Sequence, residues 1–177
     1  MSHRVHPYAH RLGIIRDWKS RWFSPKKSYK TNLKSDILIR EYLEERFRGM
    51  YVSNIEIERG QKTLRIIIET SRPGIIIGRA GEGTVKLQSD LVKQASKLCI
   101  TSKEEIKIDI KEVRYPETNA HIMAQIIAEG LEKRLPFRRV VKSSLEKIMA
   151  NKSVLGAKIE LSGRLGGAEM SRVEKLR

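Results

Sequence analysis

The chain has 177 residues, of which 40% are hydrophobic, and this length and composition are typical of a globular protein with one large domain or two small ones. Its 36 Lys and Arg residues outnumber 21 Asp and Glu residues, so the net charge is +15, which indicates a polyanionic partner such as nucleic acid. The sequence contains neither an apolar run long enough to cross a bilayer nor a lipidation signal, and we therefore expect no membrane partner.

The positive charge is distributed unevenly along the chain. Residues 1–34 carry nine Lys and Arg against one acid, residues 35–116 carry 15 against 13, and residues 117–177 carry 12 against 7. We therefore predict a basic N-terminal arm at 1–34, a compact domain at 35–116 and a second basic domain at 117–177. Because the arm shows no sustained helical or strand period, most of it should lack regular structure, and its removal should leave the compact domain folded.

The arm contains aromatic residues and histidines that allow several interpretations. Trp22 and two neighbouring aromatic side chains can pack on protein or stack on RNA bases. The histidines His3, His6 and His10 have no nearby Cys and no defined scaffold, so we expect no metal site. The single Cys99 cannot form an internal disulfide and should pack in the core near the end of a helix.

Hydrophobic periodicity predicts the elements of the compact domain. A helix is expected over 35–47, where Ser35 or Asp36 can cap its start and Gly49 can end it. Alternating isoleucines and charged residues then predict a hairpin with a turn at 59–62. The remaining elements in chain order are hairpin strands at 55–58 and 64–69, a helix with an apolar stripe at 87–98 and a strand at 106–111.

Between the hairpin and the second helix, residues 72–83 form an apolar run that breaks into a glycine-framed turn. A glycine at each end lets the backbone approach another backbone closely, and the following helix would direct free N–H groups toward an anion. The three isoleucines at 75–77 should anchor the turn in the core or line a groove beside it. The predicted phosphate-binding turn consists of Gly78, Arg79, Ala80 and Gly81.

The Ile-Ile-Gly-x-x-Gly pattern at 76–81 resembles the KH domain, whose GXXG loop clamps about four nucleotides of single-stranded RNA by their backbone. The predicted order is helix, strand, strand, short helix, GXXG, helix and strand, which is the arrangement of the type II KH fold. The resemblance therefore implies an α+β protein with a type II KH domain as its compact domain.

The second basic domain begins after Tyr115-Pro116, and its elements are two amphipathic helices and one strand. The helices fall at 123–131 and after Pro136, and the strand falls at 157–161. The glycine-rich segment at 162–172 lacks the Gly-Lys-Ser/Thr ending of a P-loop. Since one strand cannot cover two helices, we expect an incomplete α/β domain, which is either a fragment or completed by strands from elsewhere.

Motifs along the whole chain resemble the family of bacterial-type small-subunit ribosomal protein number three. They are Val5-His6-Pro7 with Arg11-Leu12-Gly13-Ile14, the loop at 72–83, Phe137-Arg138-Arg139, and the segment at 162–169. The resemblance covers residues from about 4 to 172, and the family continues beyond Arg177. It implies a structural protein in the head of the small ribosomal subunit, with contacts to small-subunit rRNA, to neighbouring head proteins and to mRNA where it enters its channel.

The same resemblance implies the RNA-contacting residues. In the family, the basic helix after Pro136 faces incoming mRNA and is associated with its unwinding, a role that comes here to Arg138, Arg139 and Lys142. The full predicted set is His6, Arg11, Arg16, Trp22, Arg72, Gly78, Arg79, Ala80, Gly81, Arg138, Arg139, Lys142, Arg164 and Arg172.

We predict no enzymatic activity and no cofactor. The glycine spacing does not fit a dinucleotide-binding fold, and the sequence shows no nucleophile–base pair, carboxylate cluster or metal-ligand spacing. The alternative to a ribosomal role is a free-standing KH-domain protein that binds RNA or assists ribosome assembly. The expected location is the cytoplasmic ribosome, with an organelle ribosome as the alternative.

Overall fold

The structure is a computed structural model that describes residues 5–60, 62–94 and 105–177. Contacts between residues divide the chain into two units. The first is drawn from 1–46, 54–69 and 73–111, and the second from 47–53, 70–72 and 112–177.

The part of the chain up to residue 112 combines helices with a four-stranded sheet, so the predicted α+β class is confirmed. Residues buried in the first unit alternate along the strands, as Ile55 and Ile57 do in one strand and Leu64 and Ile66 in the next. The elements are α1 (Pro7–His10), β1 (Ser20–Arg21), α2 (Lys26–Arg46), β2 (Val52–Arg59), β3 (Thr63–Thr70), α3 (Pro73–Ile77), a 3₁₀ turn (Arg79–Gly81), α4 (Glu82–Lys93) and β4 (Glu105–Glu112).

The sheet has the order β1-β2-β3-β4. β1 runs parallel to β2, with Ser20 opposite Ile57, and β2 and β3 form the predicted hairpin. The backbone N–H of Glu105 donates to the carbonyl of Lys62 at 2.8 Å, and eight residues later in each strand Val113 donates to Thr70 at 2.9 Å. Because the partners advance in the same direction, β4 lies parallel to β3.

The prediction of an irregular arm and of a helix starting at Ser35 is wrong, because α2 begins at Lys26. Ser35 and Asp36 do not cap the helix but are buried within it. Asp36 accepts hydrogen bonds from the Ser20 hydroxyl at 3.0 Å and from the Trp22 indole N–H at 2.6 Å, so residues before the helix also pack on it. The first turns of α2 are polar, and they therefore gave no hydrophobic period to detect.

The second unit contains two helices, two strands and short 3₁₀ turns. Asn119 caps α5, because its side-chain oxygen accepts from the backbone N–H groups of His121 and Ile122. Its elements are a 3₁₀ turn (Pro116–Thr118), α5 (Ala120–Glu132), α6 (Phe137–Met149), β5 (Ile159–Gly163), a 3₁₀ turn (Leu165–Gly167) and β6 (Arg172–Leu176). Its buried core consists of Met123, Ile127, Val140, Val141, Ile148 and Ile159.

The prediction of one strand after α6 is also wrong. β5 pairs with an antiparallel strand β6, with Ile159 opposite Leu176 and Gly163 opposite Arg172. β6 escaped prediction because its apolar residues are few and remain exposed, as Val173 is. The glycine-rich segment therefore connects the two strands of a hairpin.

Some details of the predicted helix faces differ from the structure. The apolar periodicity of the sequence places Val92 on the stripe of the helix at 87–98 and Met149 on the apolar side of the helix after Pro136, but 58% and 47% of their surfaces are exposed. Each lies toward the end of its helix. The prediction that Cys99 packs in the core, and the part of the α4 stripe after residue 94, lie outside the described residues.

Candidate nucleic-acid interface

The glycine-framed turn joins α3 to α4. Gly78 and Gly81 have φ angles of 71° and 82°, and Ala80 between them has a φ of 49°, so three of the four residues of the turn have positive φ. The backbone N–H of Gly78 donates to the carbonyl of Gly74 at 3.0 Å. The hydroxyl of Thr84 donates to the carbonyl of Gly81 at 2.7 Å, which holds the turn to the first residues of α4.

A third glycine, which sequence reasoning did not single out, determines how closely α3 and α4 approach. A Cβ placed on Gly83 would lie 2.2 Å from the carbonyl oxygen of Ile76 and 2.8 Å from that of Ile77. Only a residue without a side chain fits there. The signal for this close approach is the position of Gly83 in the sequence, two residues after Gly81 and within the predicted glycine-framed run at 72–83.

The surface around the turn combines positive charge with apolar side chains. Arg79 and Ala80 are exposed at its tip. Ile76 is buried and anchors α3, whereas Ile75 and Ile77 are 52% and 37% exposed. The prediction that these isoleucines anchor the turn in the core is confirmed for Ile76, and the other two leave apolar surface next to the turn. This is the combination that a phosphate backbone and its bases require.

The helix behind the turn is held in place by polar contacts. Arg46 in α2 donates to the carboxylate of Asp90 in α4 at 2.6 Å, and the same guanidinium nitrogen donates to the Tyr42 hydroxyl at 2.7 Å. The hydrogen bond from Arg46 lowers the pKa of Asp90 below its usual range. The side-chain amide of Gln88 donates to the carbonyl of Ile106 at 2.9 Å, which links α4 to β4.

The predicted RNA contacts near the N-terminus are exposed, with one exception. His6 accepts from the backbone N–H of Tyr8 and so caps α1, and Arg11 donates to the carbonyl of Pro7 at 2.9 Å. Arg16 is exposed, and its carbonyl accepts from Gly13 at 2.9 Å. Trp22 is half-buried and bonded to Asp36, so its observed contact is with protein. RNA binding by these residues stays a prediction.

Arg72 takes part in a network within the second unit. Its guanidinium lies 4.5 Å from the centre of the Tyr51 ring. The Tyr51 hydroxyl donates to the carboxylate of Glu129, which also pairs with Lys133. The hydrogen bonds from Lys133 and Tyr51 lower the pKa of Glu129. The bond between Tyr51 and Glu129 also raises the pKa of the Tyr51 hydroxyl. Arg72 therefore has a structural contact in addition to its predicted contact with RNA.

The basic residues of α6 lie on the face opposite its packed side. Val140, Val141 and Ile148 are buried in the core of the second unit, whereas Arg139 and Lys142 are exposed. Among the described residues, neither of these two side chains has an ion-pair or hydrogen-bond partner. Their charges are therefore available to a ligand.

Arg138 differs from the other basic residues of α6, because it meets Arg172 from β6. Both guanidiniums lie over the ring of Phe137, at 5.8 and 5.5 Å from its centre. Both also approach the same carboxylate oxygen of Glu174, at 3.5 and 3.6 Å. Sequence reasoning named the two arginines but missed Phe137 as their platform and Glu174 as their shared partner, since only the hairpin brings these residues together.

The remaining predicted residue, Arg164, contacts its own loop. Its Nε donates to the carbonyl of Ala168 at 3.0 Å, across the turn that follows β5. Gly163, Gly166 and Gly167 in this segment all have positive φ angles, which explains why glycine recurs there.

Over the described ranges, no group of His, Cys, Asp and Glu side chains could hold a metal ion. In the same part of the chain, none of the helices has both the length and the apolar character needed to cross a membrane.

Comparison with known families gives two matches. Residues 38–118 match the KH domain family, and residues 127–177 match the family described as ribosomal protein S3, C-terminal domain. The turn at 78–81 lies inside the first match, and α6 with the β5–β6 hairpin lies inside the second.

Individual relatives match nearly the whole chain. The small ribosomal subunit protein uS3 of Caldicellulosiruptor saccharolyticus is 42% identical over 174 residues, which are 98% of this chain and 75% of that protein. The proteins of the same name from Pseudomonas aeruginosa and Clostridium botulinum are 42% and 41% identical, again over 98% of this chain, and the matches cover 73% and 75% of their lengths.

Proposed function

Since the chain belongs to the uS3 family of small ribosomal subunit proteins, we propose that α6 lines the channel through which mRNA enters the ribosome. Membership of the family makes the protein a structural, non-enzymatic constituent of the small subunit that binds rRNA. The proposal adds a place in the subunit head beside neighbouring head proteins, and it assigns mRNA as the ligand of Arg138, Arg139 and Lys142.

The observation that carries the proposal is the polarity of α6. Its apolar face is buried on Val140, Val141 and Ile148, so the helix cannot rotate without opening the core. The exposed Arg139 and Lys142 are therefore presented in a fixed direction. Lys and Arg on a rigid element bind nucleic-acid phosphates irrespective of sequence, which suits a surface past which any message must move.

In this role the helix does no chemistry. Its cations hold the phosphate backbone of the incoming strand. The free energy for opening base pairs comes from translocation of the ribosome. We therefore expect the helix to affect the rate at which structured messages are read rather than the binding of the protein to its subunit.

The test is translation by ribosomes in which Arg138, Arg139 and Lys142 are all replaced by alanine. These ribosomes should read unstructured messages at the normal rate and slow selectively on messages with stable hairpins. Lys147→Ala is the matched control for Lys142→Ala, because it removes the same charge from another face of the same helix. Equal slowing on structured and unstructured messages would contradict the proposal.

For the first unit, we propose that the turn at Gly78–Gly81 clamps single-stranded rRNA. What supports this is the exposed Arg79 on a glycine-framed turn next to the exposed Ile75 and Ile77.

Retention of the protein on the small subunit is tested by sedimentation after high-salt washing. A ribosomal constituent should remain in stoichiometric amount, whereas a free-standing RNA-binding or assembly protein should wash off.

A further inference from the structure

The start of α6 and the loop after β5 enclose a cleft of about 510 Å³ that the channel proposal does not use. One side is formed by Phe137 and Arg138 and the other by residues 165–168, with Arg172 also lining the cleft. The loop lies close to the aromatic ring at Gly166, where a Cβ would be in van der Waals contact with Phe137 at 3.7 Å. A longer side chain there would extend into the space between ring and loop.

The charges around this cleft are unequal. Arg138 and Arg172 share the single carboxylate of Glu174, at 3.5 and 3.6 Å. Charge-assisted hydrogen bonds between guanidinium and carboxylate are shorter, at about 2.7–2.9 Å, so Glu174 orients the two guanidiniums without saturating their donors. Two cations against one anion leave a net positive charge at the mouth of the cleft.

The geometry suits one tetrahedral anion better than another side chain. Both guanidiniums lie over the same ring and approach the same carboxylate oxygen of Glu174, which holds them near each other. Planar guanidinium groups bind phosphate oxygens through two parallel N–H donors, and two neighbouring guanidiniums can hold one phosphate from two directions.

We infer that this cleft is a phosphate site for single-stranded RNA, in which one backbone phosphate bridges Arg138 and Arg172 and displaces Glu174. The inference rests on the proposed function in so far as both use Arg138, and it extends the RNA surface from α6 onto the β5–β6 hairpin. Glu174 is a positioning residue, because it aligns the arginines while no RNA is bound and competes with the phosphate when RNA arrives.

The experiment measures binding of a fluorescent single-stranded oligouridine to the full chain at several salt concentrations. Arg172→Gln should weaken binding by about tenfold, since a hydrogen bond to a charged group is lost. It should also reduce the salt slope by about 0.7, the value expected for one phosphate contact on a single strand. Lys175→Gln is the matched control, because it removes the same charge from the same strand at a residue that pairs with Glu160 instead.

Two further variants address the bridge itself. Arg138→Gln combined with Arg172→Gln should cost less than the sum of the single effects, because either change already breaks the bridge. Glu174→Gln should tighten binding, since it removes the competing charge. The inference is wrong if Arg172→Gln and Lys175→Gln weaken binding equally, or if Glu174→Gln leaves the affinity unchanged.

These readouts are independent of the channel proposal. On the isolated chain, the difference in oligouridine affinity between Arg172→Gln and Lys175→Gln measures the cleft, whereas the channel proposal is read from translation of structured messages. If Arg172→Gln and Lys175→Gln weaken oligouridine binding equally while the alanine ribosomes still slow selectively on hairpins, only this inference is wrong. If Arg172→Gln weakens binding more than Lys175→Gln does but the alanine ribosomes show no selective slowing, only the channel proposal is wrong. Unfolding curves of all variants at pH 7 show that the comparison is made between folded proteins.

Discussion

Gly83 in α4 faces the carbonyl oxygen of Ile76 in α3 so closely that a Cβ at Gly83 would lie 2.2 Å from that oxygen. Cβ atoms in proteins essentially never lie closer than 3.0 Å to another heavy atom, so an alanine must push the two helices apart. The helices carry the two ends of the GXXG turn. The turn's geometry therefore depends on a glycine outside the motif.

Gly83→Ala should destabilise the first unit by about 1–3 kcal/mol, the usual cost of overpacking, and weaken RNA binding by opening the turn. Gly74→Ala is the control, because a Cβ at Gly74 meets nothing within 4 Å. Urea unfolding compares the stabilities, and oligonucleotide binding compares the turns. Equal stability of the two variants would show that α3 and α4 can separate at no cost.

Gly81 allows the charge of the turn to be tested separately from its backbone. Its φ is 82° in the left-handed region, which Asn and Asp tolerate better than other side chains. Gly81→Asp and Gly81→Asn should therefore lose similar stability, but only the carboxylate repels phosphate. We expect at least tenfold weaker RNA binding for the aspartate than for the asparagine, measured by anisotropy. Equal affinities would contradict the clamp.

Gly78 is a poorer place for the same test. Its φ of 71° and ψ of −173° fall in a region that is essentially restricted to glycine, and a Cβ there would lie 3.1 Å from the backbone nitrogen of Gly83. Gly78→Asp should therefore destabilise the turn in addition to repelling phosphate. A binding loss at Gly78 would mix strain with charge.

Asp36 and Arg59 form an ion pair whose side chains are only 2% and 5% exposed, with 2.9 Å between Oδ1 and Nη2. Asp36→Ala should cost about 3–5 kcal/mol, because it leaves a buried guanidinium without this carboxylate. Asp109→Ala removes an exposed ion pair with Arg65 and should cost much less, because solvent screens the two charges. Urea unfolding of both variants measures the difference, and similar losses would mean that the buried site admits water.

The contact between Arg46 and Asp90 should depend on pH. The pKa of Asp90 in the folded state lies below its unfolded value of about 3.9. The stability that the ionised Asp90 adds is therefore complete above the unfolded pKa and is lost as the pH falls through the folded-state pKa. The stability difference between the wild type and Asp90→Asn should be constant above about pH 5 and shrink below about pH 4. Urea unfolding from pH 7 to pH 3 provides the measurement, and a constant difference would exclude Asp90 as the titrating group.

Local patterns in the sequence were sufficient for much of the fold. Alternation of apolar and charged residues predicted β2, β3 and β4, with an interruption at Ile67 in β3, because a strand with one buried face repeats every two residues. Apolar stripes predicted α5 and α6, because a helix with one buried face repeats its apolar residues about every 3.6 positions. The glycine framing of residues 78–81 predicted the turn, since positive φ angles favour glycine wherever they occur.

Tertiary contacts decided the elements without a local signal. Residues 26–34 of α2 are mainly polar, and the apolar Leu33 among them is exposed, but the helix begins there and continues to Asp36, where Trp22 and Arg59 converge. A deletion of 1–34 would remove this helical segment together with β1 and Trp22, so it would no longer test RNA binding by an independent arm.

The candidate RNA surface likewise contains residues whose exposure can be predicted from local period and residues that only tertiary contacts bring together. The exposure of Arg139 and Lys142 follows from helical period alone, because residues opposite a buried stripe must face solvent. The meeting of Arg138 with Arg172 at Glu174 depends on the pairing of β5 with β6 and on the packing of that hairpin against α6. No local period encodes a contact between residues so far apart in the chain, since chain folding alone brings their side chains within reach of each other.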